Sequence, residues 1–278
     1  MKKLLLLFVV VLITSISYGQ KREKVKGSKN VTIEKKEIGN FENLEVEDNF
    51  EILLIKSDKC SLEIEADDNL HSEVNINFNG NTLRLTTSKD VVGFKKFLVK
   101  VFYNNDFKLL LAKHETVITA TSDVELDNFT IKSFDYSKIY VNAKVKVFTI
   151  VQNDKSKSEL NLKSEMATIE LSKNAKLKAL IASNQLKVDL YQKSTAVVEG
   201  DVDELKLRVD NSSEFTGMNL ISKTAELIAE ADTTTKLNVV TSASIEASGK
   251  SEIQFYGDAK IELKKFTENT VIMKKTLK

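Results

Sequence analysis

Two histidines, one cysteine and three arginines bound the chemistry open to this chain of 278 residues. His71 and His114 lie far apart in sequence, and neither belongs to a cluster of ligand-type residues. A His/Cys metal site needs several such donors, so both histidines read as surface or turn residues. A Ser-His-Asp or Cys-His arrangement is open only if one of these two serves it. No glycine-rich phosphate loop and no Asp-x-Asp-x-Asp-Gly calcium loop occurs. No catalytic, cofactor-binding or metal residue is therefore assigned, and no cofactor is expected. Cys60 lies in an alternating run with Ser61, Leu62, Glu63 and Ile64, which marks it as a small core residue. As a lone cysteine it cannot form an intramolecular disulfide.

Carboxylates are abundant. Glu159, Glu170, Glu199, Asp201, Asp203 and Glu204 would share one face if the chain coils. Gathered in a groove with a basic group, they would suit cleavage of a polysaccharide; dispersed, they are a solvated face balancing the lysines. Arg22, Arg84 and Arg208 are the only arginines, and there is no tryptophan to form a sugar platform. Tyr136, Tyr140 and Tyr191 form either an exposed row or corner packing. Phe94, Phe97, Phe102 and Phe107 line either a cleft for a small ligand or lipid, or the core of a junction. Asp232-Thr233-Thr234 resembles an acceptor pattern for bacterial O-glycosylation, with Thr233 as the acceptor; an ordinary polar turn is the other reading.

The elements that must position these residues are strands. Apolar and polar residues alternate in Leu62-Glu63-Ile64-Glu65-Ala66, Leu186-Lys187-Val188-Asp189-Leu190 and Leu205-Lys206-Leu207-Arg208-Val209. Period two with abundant Val, Ile and Thr means strand with one buried face. Thr224 to Ala231 has some helical character, but its neighbours argue for strand. Proline is absent and glycine sparse, so Asn, Asp, Ser and Lys must make most turns. Residues 31–105 read as a hairpin-rich section, with turns at Asn79-Gly80-Asn81 and Asp67-Asp68-Asn69.

From Val117 a repeat appears. A small residue, a mostly polar one and an apolar one recur at Ser137-Lys138-Ile139, Ser158-Glu159-Leu160 and Ala175-Lys176-Leu177. The series continues at Ser194-Thr195-Ala196, Ser213-Glu214-Phe215, Thr235-Lys236-Leu237 and Ser251-Glu252-Ile253. The intervals are 21, 17, 19, 19, 22 and 16 residues. A period near 19 suits one coil of a β-solenoid, whose inward side chains are buried only by stacking. An antiparallel sandwich with chance spacing is the alternative. The open ends of such a stack need protection. The hairpin section is placed at one end and lysine-rich Val271 to Lys278 at the other, with self-association left open.

The first residues give an address. Lys2 and Lys3 precede the apolar run Leu4 to Ile13, and small or polar residues follow up to Gly19. That order is a secretory signal. The run is shorter than the roughly 20 residues that cross a bilayer, so a retained anchor is the lesser reading. Cleavage is expected after Gly19, and no cysteine nearby offers a lipidation point. Lys21 to Lys29 reads as a solvated basic leader. Loss of Lys2 and Lys3 takes the formal charge from +1 to −1, a balance that argues against nucleic acid as partner.

The segment Lys36-Glu37-Ile38-Gly39-Asn40-Phe41-Glu42-Asn43-Leu44-Glu45-Val46 resembles the start of the head GIN domain, a family of proposed auto-transporter adhesins common in exported proteins of Bacteroidetes. Phe50-Glu51-Ile52, Asn81-Thr82-Leu83-Arg84-Leu85, Gly249-Lys250-Ser251-Glu252-Ile253 and Phe255-Tyr256-Gly257-Asp258-Ala259-Lys260-Ile261 continue the likeness, which spans roughly Val31 to the C-terminus. The family's coil steps are richer in glycine; here Lys, Asn or Asp often stands instead, which bears on corner geometry. The resemblance implies an all-β, right-handed parallel β-helix and an adhesive or envelope role, and it transfers no catalytic residue.

The expected organisation is thus a signal peptide at 1–19, a basic leader at 20–30 and a head GIN-like β domain at 31–278. That domain divides into the hairpin-rich section 31–105 and solenoid coils 106–278. The expected function is an exported, non-enzymatic adhesin or envelope-interaction module, with an envelope glycan or protein as partner and a periplasmic, surface or secreted location. A polysaccharide-acting enzyme and a small-ligand or lipid binder are the alternatives. N-terminal sequencing of the exported protein should read Gln20 first; a membrane-bound chain retaining Leu4 to Ile13 points instead to an uncleaved anchor.

Overall fold

Alternation gives each strand one buried face, and short connections decide how the strands meet. The computed structural model describes residues 22–277; the signal segment 1–19 and its expected cleavage point lie outside the described residues. The protein is 68% strand and 2% helix, built as a parallel β-solenoid of about nine turns with about 19 residues per turn. The sandwich alternative falls away because the ladders are parallel.

The regular coils are the strands Lys138–Gln152, Lys157–Leu171, Lys176–Leu190, Thr195–Val209, Glu214–Ala229 and Thr234–Ala247. Each is hydrogen-bonded in parallel to the next. Alternation breaks within each strand where consecutive residues face solvent, as at Lys146-Val147, Glu165-Met166 and Asn184-Gln185. This phase change carries the chain from one face of the coil to the other. Inward side chains stack in columns. One runs Ile139, Ser158, Leu177, Ala196, Phe215, Thr235, Ile253. The opposite face supplies Ile150, Ile169, Val188, Leu207, Leu227, Ile245. All are buried. Phe215 fills the space left by Ala196 and Thr235, and a Cβ on Gly217 would lie 2.5 Å from its ring.

Each coil closes through a tight turn in which non-glycine residues take positive φ: Asp135, Asp154, Lys173 with Asn174, Gln192 with Lys193, Asn211 with Ser212. Asn and Asp tolerate this region best, and Lys less well. Stacking offsets the strain, because the turns bond to one another: the Lys193 N–H donates to the Asn211 carbonyl (2.9 Å) and the Ser212 N–H to that of Ala231 (3.1 Å). Lys, Asn, Asp, Gln and Ser thus hold at these corners the positive φ that a glycine holds at Gly249.

A small buried residue follows each turn: Ser137, Ser156, Ala175, Ser194, Ser213, Thr233, Ser251. Its hydroxyl, where present, can bond back to the carbonyl three residues earlier, as Ser137 does to Phe134 (2.7 Å), Ser156 to Asn153 (2.8 Å) and Ser251 to Ser248 (2.7 Å). The intervals are 19, 19, 19, 19, 20 and 18. Two triplets in the sequence reading, at Ser158 and Thr235, therefore sit two residues past the true corners Ser156 and Thr233. The remaining irregularity is a bulge, where register shifts between Val197 and Gly200 and again after Gly217.

Parallel stacking reaches back into residues 31–105. Asn43–Val46 and Glu51–Lys56 pair with Leu109–Ala112 and Val117–Ala120, and a further layer is made by Thr82–Thr87 and Phe97–Tyr103. Antiparallel strands then seal the stack: Ser61–Asp67 pairs with both Phe97–Tyr103 and Val31–Glu37, and Val74–Asn79 with Thr82–Thr87 through the Asn79-Gly80-Asn81 turn. Asp67-Asp68-Asn69 does not make a simple hairpin turn but opens a 3-10 segment, Asp68–Glu73. The leader is not wholly solvated either. Lys24–Lys26 pairs in parallel with Asp90–Val92, and Gly27 packs so closely on Asp67 that a Cβ there would collide with its carboxylate.

The four phenylalanines belong to a packed junction. Phe97 stacks on Phe50 (4.9 Å) and meets Phe94 (5.7 Å), while Phe107 contacts Tyr103 (4.9 Å) and Phe129 (5.6 Å). Phe102 is half-buried. Burial, reinforced by Glu125, pushes the Tyr103 phenol up to about 12. Cys60 is buried, as expected.

Gly200 lies at the bulge with φ +114°, and a Cβ there would collide with the Ile181 carbonyl. Gly200→Ala should cost more than about 1 kcal/mol in urea unfolding. Gly39→Ala, with nothing within 4 Å of the added atom, should change stability by less than about 0.5 kcal/mol.

Candidate binding face

A solenoid turns a residue repeated once per coil into a line on its surface. On the face carrying the first half of each strand, three outward lines run side by side: Lys138, Lys157, Lys176, Thr195; then Tyr140, Glu159, Lys178, Val197; then Asn142, Asn161, Leu180, Glu199. Adjacent members are separated by the strand spacing, about 4.8 Å. The second and third lines border a shallow groove of about 570 Å³, with Tyr140 38% and Leu180 50% exposed. A smaller hollow of about 360 Å³ adjoins it along Lys138, Lys157 and Lys176 and shares Tyr140, Glu159 and Lys178.

The carboxylates singled out in the sequence do not converge. Glu159 and Glu199 border the same groove, but two coils and one line apart. Glu170 lies on the other half of the strand beside Asp189. Asp203 pairs with Lys223 (2.5 Å), and Glu204 with Lys206 (3.4 Å). The tyrosines do not form a row. Tyr140 is on the flat face, Tyr136 is in a turn under Lys155 (5.3 Å from ring centroid to Nζ), and Tyr191 lies three turns on beneath Arg208 (6.0 Å).

Thr233 is 2% exposed, and its hydroxyl donates to Ser251 Oγ (3.1 Å) inside the corner ladder. The hydroxyl of the acceptor pattern Asp232-Thr233-Thr234 is thus buried in the folded chain.

The histidines serve the junction. Thr32 Oγ1 lies 2.9 Å from His71 Nε2, and Glu34 Oε2 3.4 Å from its Nδ1. His114 Nδ1 accepts the Asp48 N–H (3.2 Å), and the His114 N–H donates to Asp135 Oδ2 (2.9 Å). Among the described residues no group of three or more His, Cys, Asp or Glu is placed to hold a metal ion. No helix among them is long and apolar enough to cross a membrane.

Glu47 and Asp48 clamp the cap to the first coils. Burial raises the Glu47 carboxyl, but Lys113 (2.7 Å) and Arg84 (3.0 Å) lower it further, for a net fall. Burial likewise raises Asp48, while the Thr87 N–H (2.8 Å), Arg22 (2.7 Å) and the Thr87 hydroxyl (2.9 Å) bring it below the usual range. Asp48 borders a hollow of about 740 Å³ between Arg22 and Lys24 of the leader and the stacked turns at His114 and Asp135.

Sequence reasoning missed the lysine line. Its signal was present: Lys138, Lys157 and Lys176 are 19 residues apart, the period already in hand.

The family model described as "Putative auto-transporter adhesin, head GIN domain" matches residues 40–259. Among curated proteins none matches the chain significantly. Solved structures share the fold. A putative adhesin from Parabacteroides merdae superposes with a TM-score of 0.65 at 16% identity, covering 92% of this chain and 98% of that one. A putative adhesin from Parabacteroides distasonis gives 0.63 at 16% identity, with coverage of 91% and 98%. A putative lipid binding protein from the same species gives 0.59 at 17% identity, with coverage of 92% and 100%. At these identities the likeness shows the fold alone.

A carboxylate whose pKa is lowered by folding stabilises the native state above its unfolded value and loses that contribution as pH falls through the lowered one. For Asp48 the loss begins below about pH 4. Asp48→Asn should therefore lower the urea midpoint at pH 7 and flatten the acid limb of a midpoint-against-pH series. An unchanged acid limb would remove Asp48 from the clamp.

Proposed function

This chain belongs to the head GIN domain family, and on that premise we propose that it is an exported, non-enzymatic adhesive module. It meets a cell-envelope glycan or protein with the flat strand face of its coils. One observation carries the reading: the groove bordered by Tyr140, Asn161, Lys178 and Leu180 is shallow, continuous across four coils and exposed. A surface of that shape suits an extended partner. Export rests on the charged, apolar and small-residue order of residues 2–19.

A polysaccharide-cleaving role finds less support, because the candidate carboxylates are dispersed or paired with lysine. A small-ligand or lipid role at the junction finds less as well, because its phenylalanines pack ring against ring.

The test is binding of residues 20–278 to a glycan array and to an envelope extract. Wild type should bind one of them, and Leu180→Glu with Tyr140→Ala should weaken that binding while leaving the unfolding midpoint within about 0.5 kcal/mol. Failure to bind either overturns the proposal.

A further inference from the structure

Three lysines stand in register on the candidate face: Lys138 beside Lys157, and Lys157 beside Lys176. All three are exposed. Like charges directly opposite on neighbouring strands oppose pairing. Several lysines elsewhere on the solenoid are compensated: Lys144 pairs with Asp123 (2.7 Å), Lys146 with Asp127 (2.8 Å) and Lys187 with Asp189 (2.8 Å). The three stacked lysines have no carboxylate within ion-pair distance among the described residues, although Glu159 faces the same hollow. Lys178 adds a fourth cation on the next line, and Tyr140 lies alongside with its ring exposed.

Resting on the adhesive reading, we propose that this line is the docking track for an acidic polysaccharide, laid along the solenoid axis. The fit is one of charge and spacing. The lysines repeat at the strand spacing of about 4.8 Å, close to the advance of one sugar in an extended chain. Carboxylate, sulfate or phosphate groups on successive sugars would each meet an ammonium group, and the Tyr140 ring offers a sugar its apolar face. Nucleic acid fits less well, since the chain as a whole is close to neutral.

The probe is polygalacturonate, with its fully methyl-esterified form and single-stranded DNA as controls, and the protein is residues 20–278. Wild type should bind polygalacturonate, weakening as salt is raised, and should bind the ester and the DNA much less. Replacing Lys138, Lys157 and Lys176 together by Gln should weaken binding by roughly ten- to a hundredfold. The same three positions as Arg should keep it, and Lys163→Gln, Lys250→Gln and Lys264→Gln, with equal charge loss elsewhere, should leave it unchanged. Equal binding by the Gln triple variant overturns the track. So does DNA binding as tight as the glycan. If polygalacturonate is ignored while the neutral array or envelope extract is bound, the track fails and the adhesive reading stands. No binding to any probe removes both.

Discussion

The corner after each strand is the constraint on which the rest of this structure depends. Four residues must reverse the chain, place one or two of themselves at positive φ and deliver a small side chain into the interior. When they do so at nearly the same interval each time, every later residue falls into register with its counterpart one coil away. The ladder hydrogen bonds, the inward apolar columns and the outward polar lines all follow from that interval. The bulge shows the tolerance: one extra residue enters between Thr216 and Leu220, opposite Val197 to Gly200, and the ladder continues in the shifted register to Val209 and Ala229.

Such a stack needs a beginning. A parallel strand without a partner exposes a row of backbone donors and acceptors. Here the first layer is covered by antiparallel strands, and the chain reaches that geometry through buried carboxylates. Asp67 is fully buried and accepts N–H groups from Lys29 (2.8 Å) and Lys96 (3.0 Å). Burial raises its pKa, yet these backbone donors outweigh burial and hold it ionised. It ties the leader, the antiparallel cap and the strand entering at Phe97 together. Asp48 does the same one layer further in. The cap is fastened by charge-assisted hydrogen bonds in addition to its buried apolar side chains, among them Leu62, Ile64, Phe97 and Val99.

Much of this was legible in the sequence. Period-two alternation gave the strands, and a spacing near 19 gave the coils. What blurred the spacing was chemistry shared by two positions. Ser156 and Ser158 are both small, both buried and two residues apart; Thr233 and Thr235 repeat the ambiguity. Only one of each pair follows the turn, and the difference lies in a backbone angle that residue type does not encode. The burial of Thr233 was hidden for the same reason, because a threonine beside two polar residues looks like a surface turn until the corner is known to point inward. The roles of Asp67 and of the leader were not legible because their partners are distant in sequence: Asp67 binds Lys29, and Lys24 pairs with Asp90.

The candidate face was half legible, and the missing half is instructive. Tyr140 and Glu159 were noticed for their side chains, as members of a row and of a carboxylate set. Neither group exists in the fold, since the tyrosines occupy different lines and the carboxylates are dispersed over separate coils and both halves of the strands. The lysines were passed over because each, taken singly, is an ordinary solvated residue. On a solenoid the unit of recognition is the line, not the residue, so the informative question is which residue type recurs at the coil period without a compensating neighbour. Asn142 and Asn161 recur in register and carry no charge. Lys138, Lys157 and Lys176 recur and can only repel, so their alignment opposes stacking, and a bound anion between the coils would convert that repulsion into attraction.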